Sequence, residues 1–124
     1  MNVVDSSAWL EFFADSDRAS HFEEVILDTE KLLVPVVCLY EVFKTVRRQF
    51  DETAALQSVA AMEQGRVVDL SASLSLRAAE LSLEHSLPMA DSLILATARS
   101  RDAVLWTQDA DFEGIGGVRY FPKE

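Results

Sequence analysis

The sequence predicts an α/β fold built on a parallel sheet. Short β-branched runs alternate along the chain with longer segments whose apolar residues recur at helical spacing. Strands separated by helices pair in parallel through right-handed crossovers. At 124 residues the chain is long enough for one domain with a real core, residues 1–124, and nothing in it reads as a linker, repeat or low-complexity tract.

The elements follow in order. Val3-Val4 reads as a short buried strand, and Ser6 or Ser7 can cap a helix running through Phe13. A second helix spans Arg18 to Asp28, with Phe22, Val25 and Ile26 on one face. Leu32 to Val37 is the next strand, and Pro35 implies an edge or strand-end position. Leu39 to Phe50 and Glu52 to Glu63 form a helical hairpin broken near Asp51. Val67 to Leu70 is a third strand, followed by helices over Ser73 to His85 and Met89 to Arg101. Leu93, Ile94, Ala96 and Ala98 give the last helix an apolar body. Val104 to Thr107 and Val118 to Phe121 complete the sheet. Trp106 is expected in the core, Trp9, Phe12 and Phe13 in the core or a dimer contact, and His21 and His85 at the surface.

Apolar residues make up 49% and charged residues 26%, as in an ordinary soluble domain. No apolar run approaches membrane-spanning length, and no basic stretch precedes a long apolar one, so neither a membrane span nor a signal peptide is expected. The lone Cys38 excludes an internal disulfide and no cysteine cluster suggests zinc, which fits a reducing, cytoplasmic compartment. The net charge of -10 argues against a nucleic-acid binder of the usual basic kind. Bound cations, or basic residues gathered into one groove by dimerisation, would reconcile that charge with a nucleic-acid substrate. A basic protein partner is another way to use it.

Four acids stand at the edges of apolar segments: Asp5 after Val3-Val4, Glu41 within Cys38-Leu-Tyr-Glu-Val-Phe, Asp91 after Pro88-Met-Ala, and Asp109 after Val104-Leu-Trp-Thr-Gln. A carboxylate there is costly unless paired, hydrogen-bonded or bound to a cation. Asp5 and Asp109 follow strands directly, which points them to the sheet edge where ligands bind in open α/β folds. Taken singly, each acid also reads as a helix cap, a dipole-favoured helix-start charge, a turn or a polar helix face. Taken together, they suit a hard divalent ion such as Mg²⁺ or Mn²⁺, which prefers oxygen ligands, and the matching chemistry is phosphodiester hydrolysis. Ser6 and Thr107 beside the acids are placed to orient carboxylates. Lys44 and Arg48 share a helix face with Glu41, and Arg47 adjoins them. They form either a basic ridge for a phosphate backbone or a solvated face with a local Glu41–Lys44 pair. Arg99 and Arg101 read as dipole-complementing surface charges.

Val3-Val4-Asp5-Ser6-Ser7, Tyr40-Glu41-Val42, Ala90-Asp91-Ser92-Leu93-Ile94 and Thr107-Gln108-Asp109-Ala110-Asp111-Phe112 resemble, in order, the motifs of PIN-domain ribonucleases, and especially the VapC-type toxins of toxin–antitoxin pairs. The resemblance implies a three-layer α/β/α sandwich around a parallel sheet and a Mg²⁺-dependent active site in which Mn²⁺ can substitute. It implies catalytic roles for Asp5, Glu41, Asp91 and Asp109, with Asp5, Asp91 and Asp109 as metal ligands. Asp111 takes a supporting role beside Ser6 and Thr107. It further implies endonucleolytic cleavage of RNA, a homodimer, and a cognate antitoxin that binds the toxin in a higher assembly. Many relatives carry a small residue such as Gly soon after the helical glutamate, where this chain has Phe43 and Lys44.

Other readings compete. A degenerate relative without nuclease activity is one, although all four acids are present. A phosphoryl-accepting signalling domain needs an acceptor aspartate after a central strand and a late lysine, and Asp69 and Lys123 fit those roles poorly. A non-catalytic module with an acidic pocket for a basic peptide is the third.

Overall fold

Val3 and Val4 are completely buried and form the middle of the sheet in the computed structural model, which describes residues 1–123. Residue 124, the last of the expected single domain, lies outside the described residues. The strand β1 (Asn2–Val4) pairs in parallel with β2 (Leu32–Pro35) on one side and β4 (Val104–Thr107) on the other. Outside them lie β3 (Arg66–Val68) against β2 and β5 (Val118–Tyr120) against β4, again in parallel. The order is therefore β3-β2-β1-β4-β5.

Six α-helices among the described residues make the crossovers. The first pair, α1 (Ser6–Ala14) and α2 (Ser20–Leu27), joins β1 to β2. The second, α3 (Val36–Gln49) and α4 (Glu52–Met62), joins β2 to β3. The third, α5 (Ala72–His85) and α6 (Met89–Ser100), joins β3 to β4. Right-handed crossovers put the helices of the outward steps on one face and those of the return step on the other. Accordingly α2 and α3 pack on β1 and β2, while α6 crosses β1, β2 and β4. The result is the expected three-layer sandwich around a parallel sheet. The chain reverses direction between β1 and β4, which opens a crevice at their carboxyl ends.

The core is continuous through both layers. Trp9, Phe22, Leu32, Leu33, Met62, Leu81, Ile94, Leu95, Leu105 and Phe112 are among its fully buried side chains. Each such residue contributes roughly 1.5–3 kcal/mol of burial. The helix α6 is buried at Ser92 and from Ile94 to Ala98, as a helix covered nearly all round should be. That burial fixes the helix and with it the first-turn residue Asp91. No helix among the described residues is long and apolar enough to cross a membrane.

Several boundaries differ from the sequence-based expectation, each for a local reason. Asp5, rather than Ser6 or Ser7, caps α1, its side chain accepting from the Ala8 N–H. Val36 and Val37 are helical, not extended, because α3 starts immediately after Pro35. Pro35 is the last residue of β2, but β2 is an interior strand. The expected Arg18 to Asp28 helix is split: Ser16 caps a 3-10 turn over Asp17–Ala19, and α2 begins at Ser20. Phe50 lies just beyond α3 and is 73% exposed. β3 ends at Val68, leaving Asp69 and Leu70 exposed outside it, and β5 ends at Tyr120. Gly114 and Gly117, near the start of β5, adopt positive φ (81° and 80°), which accounts for the glycines gathered there. Trp106 is only half-buried, since it points away from buried Leu105 and Thr107 and stacks on Phe121 near the sheet edge. His21 is exposed as expected, whereas the Nε2 atom of His85 is buried without a hydrogen-bond partner.

Candidate metal centre

The exits of β1 and β4 lie side by side, tied by the Asp5 N–H donating to the Trp106 carbonyl at 3.0 Å. Asp5 is 2% exposed. Its Oδ1 accepts from Ser7 Oγ at 2.7 Å and from the Ala8 N–H at 3.1 Å, and its Oδ2 accepts from Thr107 Oγ1 at 2.5 Å. Thr107, fully buried at the end of β4, accepts in turn from the Asp109 N–H at 2.9 Å. One hydroxyl therefore couples the first acid to the fourth. Burial pushes the Asp5 carboxyl up from the ordinary range, its three hydrogen bonds pull it back, and Asp109 adds repulsion. A carboxylate oxygen offers two lone pairs, so Oδ2 retains one for a cation.

Asp91 stands in the first turn of α6, where the helix dipole favours negative charge. One oxygen each from Asp91, Asp109 and Asp111 lies within 4.8 Å of the others. Local chemistry explains the last two. Asp109 caps the 3-10 turn Ala110–Phe112 by accepting from the Asp111 N–H at 2.9 Å, and fully buried Phe112 anchors the turn. Two aspartates separated by a single alanine are thereby turned toward the same point. The Asp91 carboxyl is pushed up to about 8, first by burial, then by the charge of Asp109, by the bond that its protonated form donates to Asp111, and by the charge of Asp5. Carboxylates this close do not all stay ionised near neutral pH without help, so the trio takes up either a proton or a cation. The donor set is entirely oxygen, which fits a hard divalent ion and not a soft one.

Glu41 is half-buried on α3, and its Oε1 accepts from Ser6 Oγ at 2.6 Å. Between it and the strands sits Cys38, fully buried with Sγ 3.8 Å from the Val4 carbonyl. Burial pushes the Cys38 thiol up, and the charges of Asp5, Glu41 and Asp91 all add to that shift. All three acids thus act on one buried thiol. The fold brings Asp5, Glu41, Asp91, Asp109, Asp111, Ser6 and Thr107 to one edge of the sheet.

Lys44, Arg47 and Arg48 are exposed and line an open groove of about 700 Å³ along α3, together with Tyr40 and Phe43. The Glu41–Lys44 pair is not formed. Lys44 Nζ instead lies 3.5 Å from the Tyr40 hydroxyl and 5.5 Å from its ring centre, while Ser6 holds the glutamate. Arg99 does more than complement a dipole: its Nη2 donates to the Gly116 carbonyl at 3.1 Å. Sequence reasoning missed three residues around the site, Ser7, Gln108 and Arg18. Gln108 is 4% exposed and accepts from Arg18 Nε at 2.8 Å across 90 residues of sequence, a separation that leaves no local signal.

A family model described as the PIN domain matches residues 3–118. No curated protein matches the chain significantly. Among solved structures, the toxin–antitoxin complex from Klebsiella pneumoniae is similar at TM-score 0.83 and 20% identity, covering 99% of this chain and 100% of that one. The sarcin–ricin loop cleaving toxin VapC20 of Mycobacterium tuberculosis is similar at TM-score 0.78 and 20% identity, covering 94% and 95%. DNA-bound VapBC from Salmonella typhimurium follows at TM-score 0.78 and 19% identity, covering 98% of each chain. At these identities the likeness is one of fold.

Proposed function

The chain belongs to the PIN domain family, and from that premise we propose that it is a metal-dependent endoribonuclease toxin of the VapC kind, neutralised by a cognate antitoxin. The observation that carries the proposal is the convergence of Asp91, Asp109 and Asp111 within 4.8 Å, beside an Asp5 wired to Asp109 through Thr107. Asp5, Asp91 and Asp109 would hold Mg²⁺, with Mn²⁺ able to substitute. Asp111, the third member of the close trio, would steady the same ion. When bound, such an ion polarises a phosphoryl oxygen and lowers the pKa of a water nucleophile.

The rest of the chemistry falls to the protein's own groups. Thr107 fixes one oxygen of Asp5, and Ser7 with the Ala8 N–H fixes the other, so the carboxylate cannot rotate. Ser6 holds Glu41 through Oε1. Glu41 Oε2 is then the group to take a proton from the attacking water, as a positioned carboxylate does in general base catalysis. Lys44, Arg47 and Arg48 on α3 would hold the phosphate backbone as it approaches. With a net charge of -10, affinity for RNA rests on that ridge, on the ion and on a homodimer that doubles both.

The antitoxin reading is supported by the same charge and by an apolar groove of about 510 Å³ lined by Leu10, Phe13, Val46 and Phe50. A partner with an apolar segment and a basic side chain would fill the groove and occupy the acidic centre. An RNA target of this kind places the action in the cytoplasm.

The test is direct. Purified protein with Mn²⁺ is incubated with structured and single-stranded RNA, and RNA ends are sequenced after brief induction in cells. Wild type should cut at defined sites and arrest growth, while Asp5→Asn and Asp91→Asn should do neither yet remain folded. Intact RNA and unimpaired growth with wild type would end the proposal.

A further inference from the structure

Two acid-bearing strand exits that repel each other must be held together by something other than the acids. Asp5 and Asp109 are like charges on the two sides of the Thr107 hydroxyl, so repulsion tends to part the exits of β1 and β4. Gln108, between Thr107 and Asp109, is buried and has both ends of its amide engaged. Its Nε2 donates to the Ser7 carbonyl at 3.4 Å, and its Oε1 accepts from Arg18 Nε at 2.8 Å. Arg18 also donates from Nη2 to the Phe121 carbonyl at 2.9 Å, and the Phe121 N–H donates to the Thr107 carbonyl at 2.9 Å. Glu11 lies 3.8 Å from Arg18 Nε and steadies the guanidinium. The bonds close a ring: Arg18 to Gln108, along the chain to Thr107, to Phe121, and back to Arg18.

We infer that Arg18 and Gln108 are positioning residues of the acidic centre, a brace that sets the spacing between Asp5 and Asp109 without touching ion or substrate. This rests on the reading of the centre as a metal site. The planar guanidinium suits the task because two of its N–H groups diverge to two acceptors at fixed angles. An ammonium at the same place carries the charge but not the fork. The brace acts on both sides of the centre, since Gln108 reaches the residue whose hydroxyl holds Asp5 and also sets the peptide that leads into Asp109.

Outer partners of metal-binding carboxylates are typically worth roughly 10–100-fold in metal affinity or activity. Arg18→Met and Gln108→Met should therefore weaken Mn²⁺ binding, read by calorimetry, by about that factor. They should lower kcat while leaving KM for RNA near wild type, because neither residue meets the substrate. Arg18→Lys should fail to restore Mn²⁺ affinity. Arg99→Met is the control, since Arg99 ties the Gly116 carbonyl near β5 and makes no bond to the β4 exit. In metal-free protein, amide hydrogen exchange at Asp109 should speed several-fold in Arg18→Met while Leu95 in α6 exchanges as before. The inference is overturned if Mn²⁺ affinity and Asp109 exchange stay at wild-type values, if Arg18→Lys restores both, or if Arg99→Met matches Arg18→Met. Wild type that binds no Mn²⁺ and cuts no RNA would sink the proposed function instead, and the exchange measurement would still decide the brace.

Discussion

The acidic centre has two halves that solve the same problem differently. Around Asp5 the protein supplies its own donors, with two hydroxyls and a backbone N–H on one carboxylate. Around Asp91 it supplies acids, with Asp109 and Asp111 both within 4.8 Å. Burial raises both carboxyls, but only at Asp91 do the neighbouring groups push the same way. The first half is finished inside the fold and the second is left electrically incomplete. That difference locates where a cation gains most, because it relieves repulsion that the protein does not relieve itself.

The comparison is broken most severely by removing either carboxylate. Asp5→Asn and Asp91→Asn should each cost RNA cleavage more than the roughly 10–100-fold that supporting partners are worth. Initial rates with Mn²⁺ on a defined RNA check this. Thr107→Val removes such a supporting partner and should fall within that range, with the fold intact by circular dichroism. Metal comes next. At a hundred times its dissociation constant Mn²⁺ should stabilise wild type by about 2.7 kcal/mol, read as a rise in Tm, and Asp91→Asn should lose most of that gain.

Without metal, the two halves should respond with opposite signs. Asp5→Asn turns an amide NH₂ toward the Thr107 hydroxyl and should destabilise the protein by about 1–3 kcal/mol. Asp91→Asn removes the need to protonate this carboxyl on folding and should raise Tm slightly. A fall in Tm for both would erase the distinction. The smallest effect is on pH. The Asp91 carboxyl titrates near 8 when folded and in the ordinary carboxylate range, about 3.9, when unfolded. Between those values the folded state binds more protons, so metal-free stability is greatest below the ordinary range and falls as pH rises through about 8. Asp91 is only half-buried, so solvent screening tempers the slope, and Asp91→Asn should flatten it. Urea titrations from pH 5 to pH 8 measure it.

Much of the fold was legible because its signals are local. The valines of β1, the Val104 to Thr107 run and the apolar body of α6 declare themselves by composition and period. Val36 and Val37 did not, since β-branched pairs read as strand until Pro35 is seen to end one element and begin the next. At Asp5 the cap reading and the metal reading looked like rivals, yet they use different oxygens: Oδ1 caps α1 while Oδ2 meets Thr107. The rank of Asp111 depended on a 3-10 turn anchored by Phe112, and spacing alone does not reveal which way such a turn faces. Arg18 and Gln108 were invisible for a plainer reason. Their partners come from the far ends of the chain, and no periodicity spans that distance.

The middle strand has one further consequence. β1 is made first, but one of its two neighbours is β4, and Thr107 lies 102 residues beyond Asp5. Synthesis runs from the amino end, so a growing chain on the ribosome carries Asp5 for some 102 residues before Thr107 exists to meet it. The centre cannot assemble until β4 and the turn after it have cleared the exit tunnel.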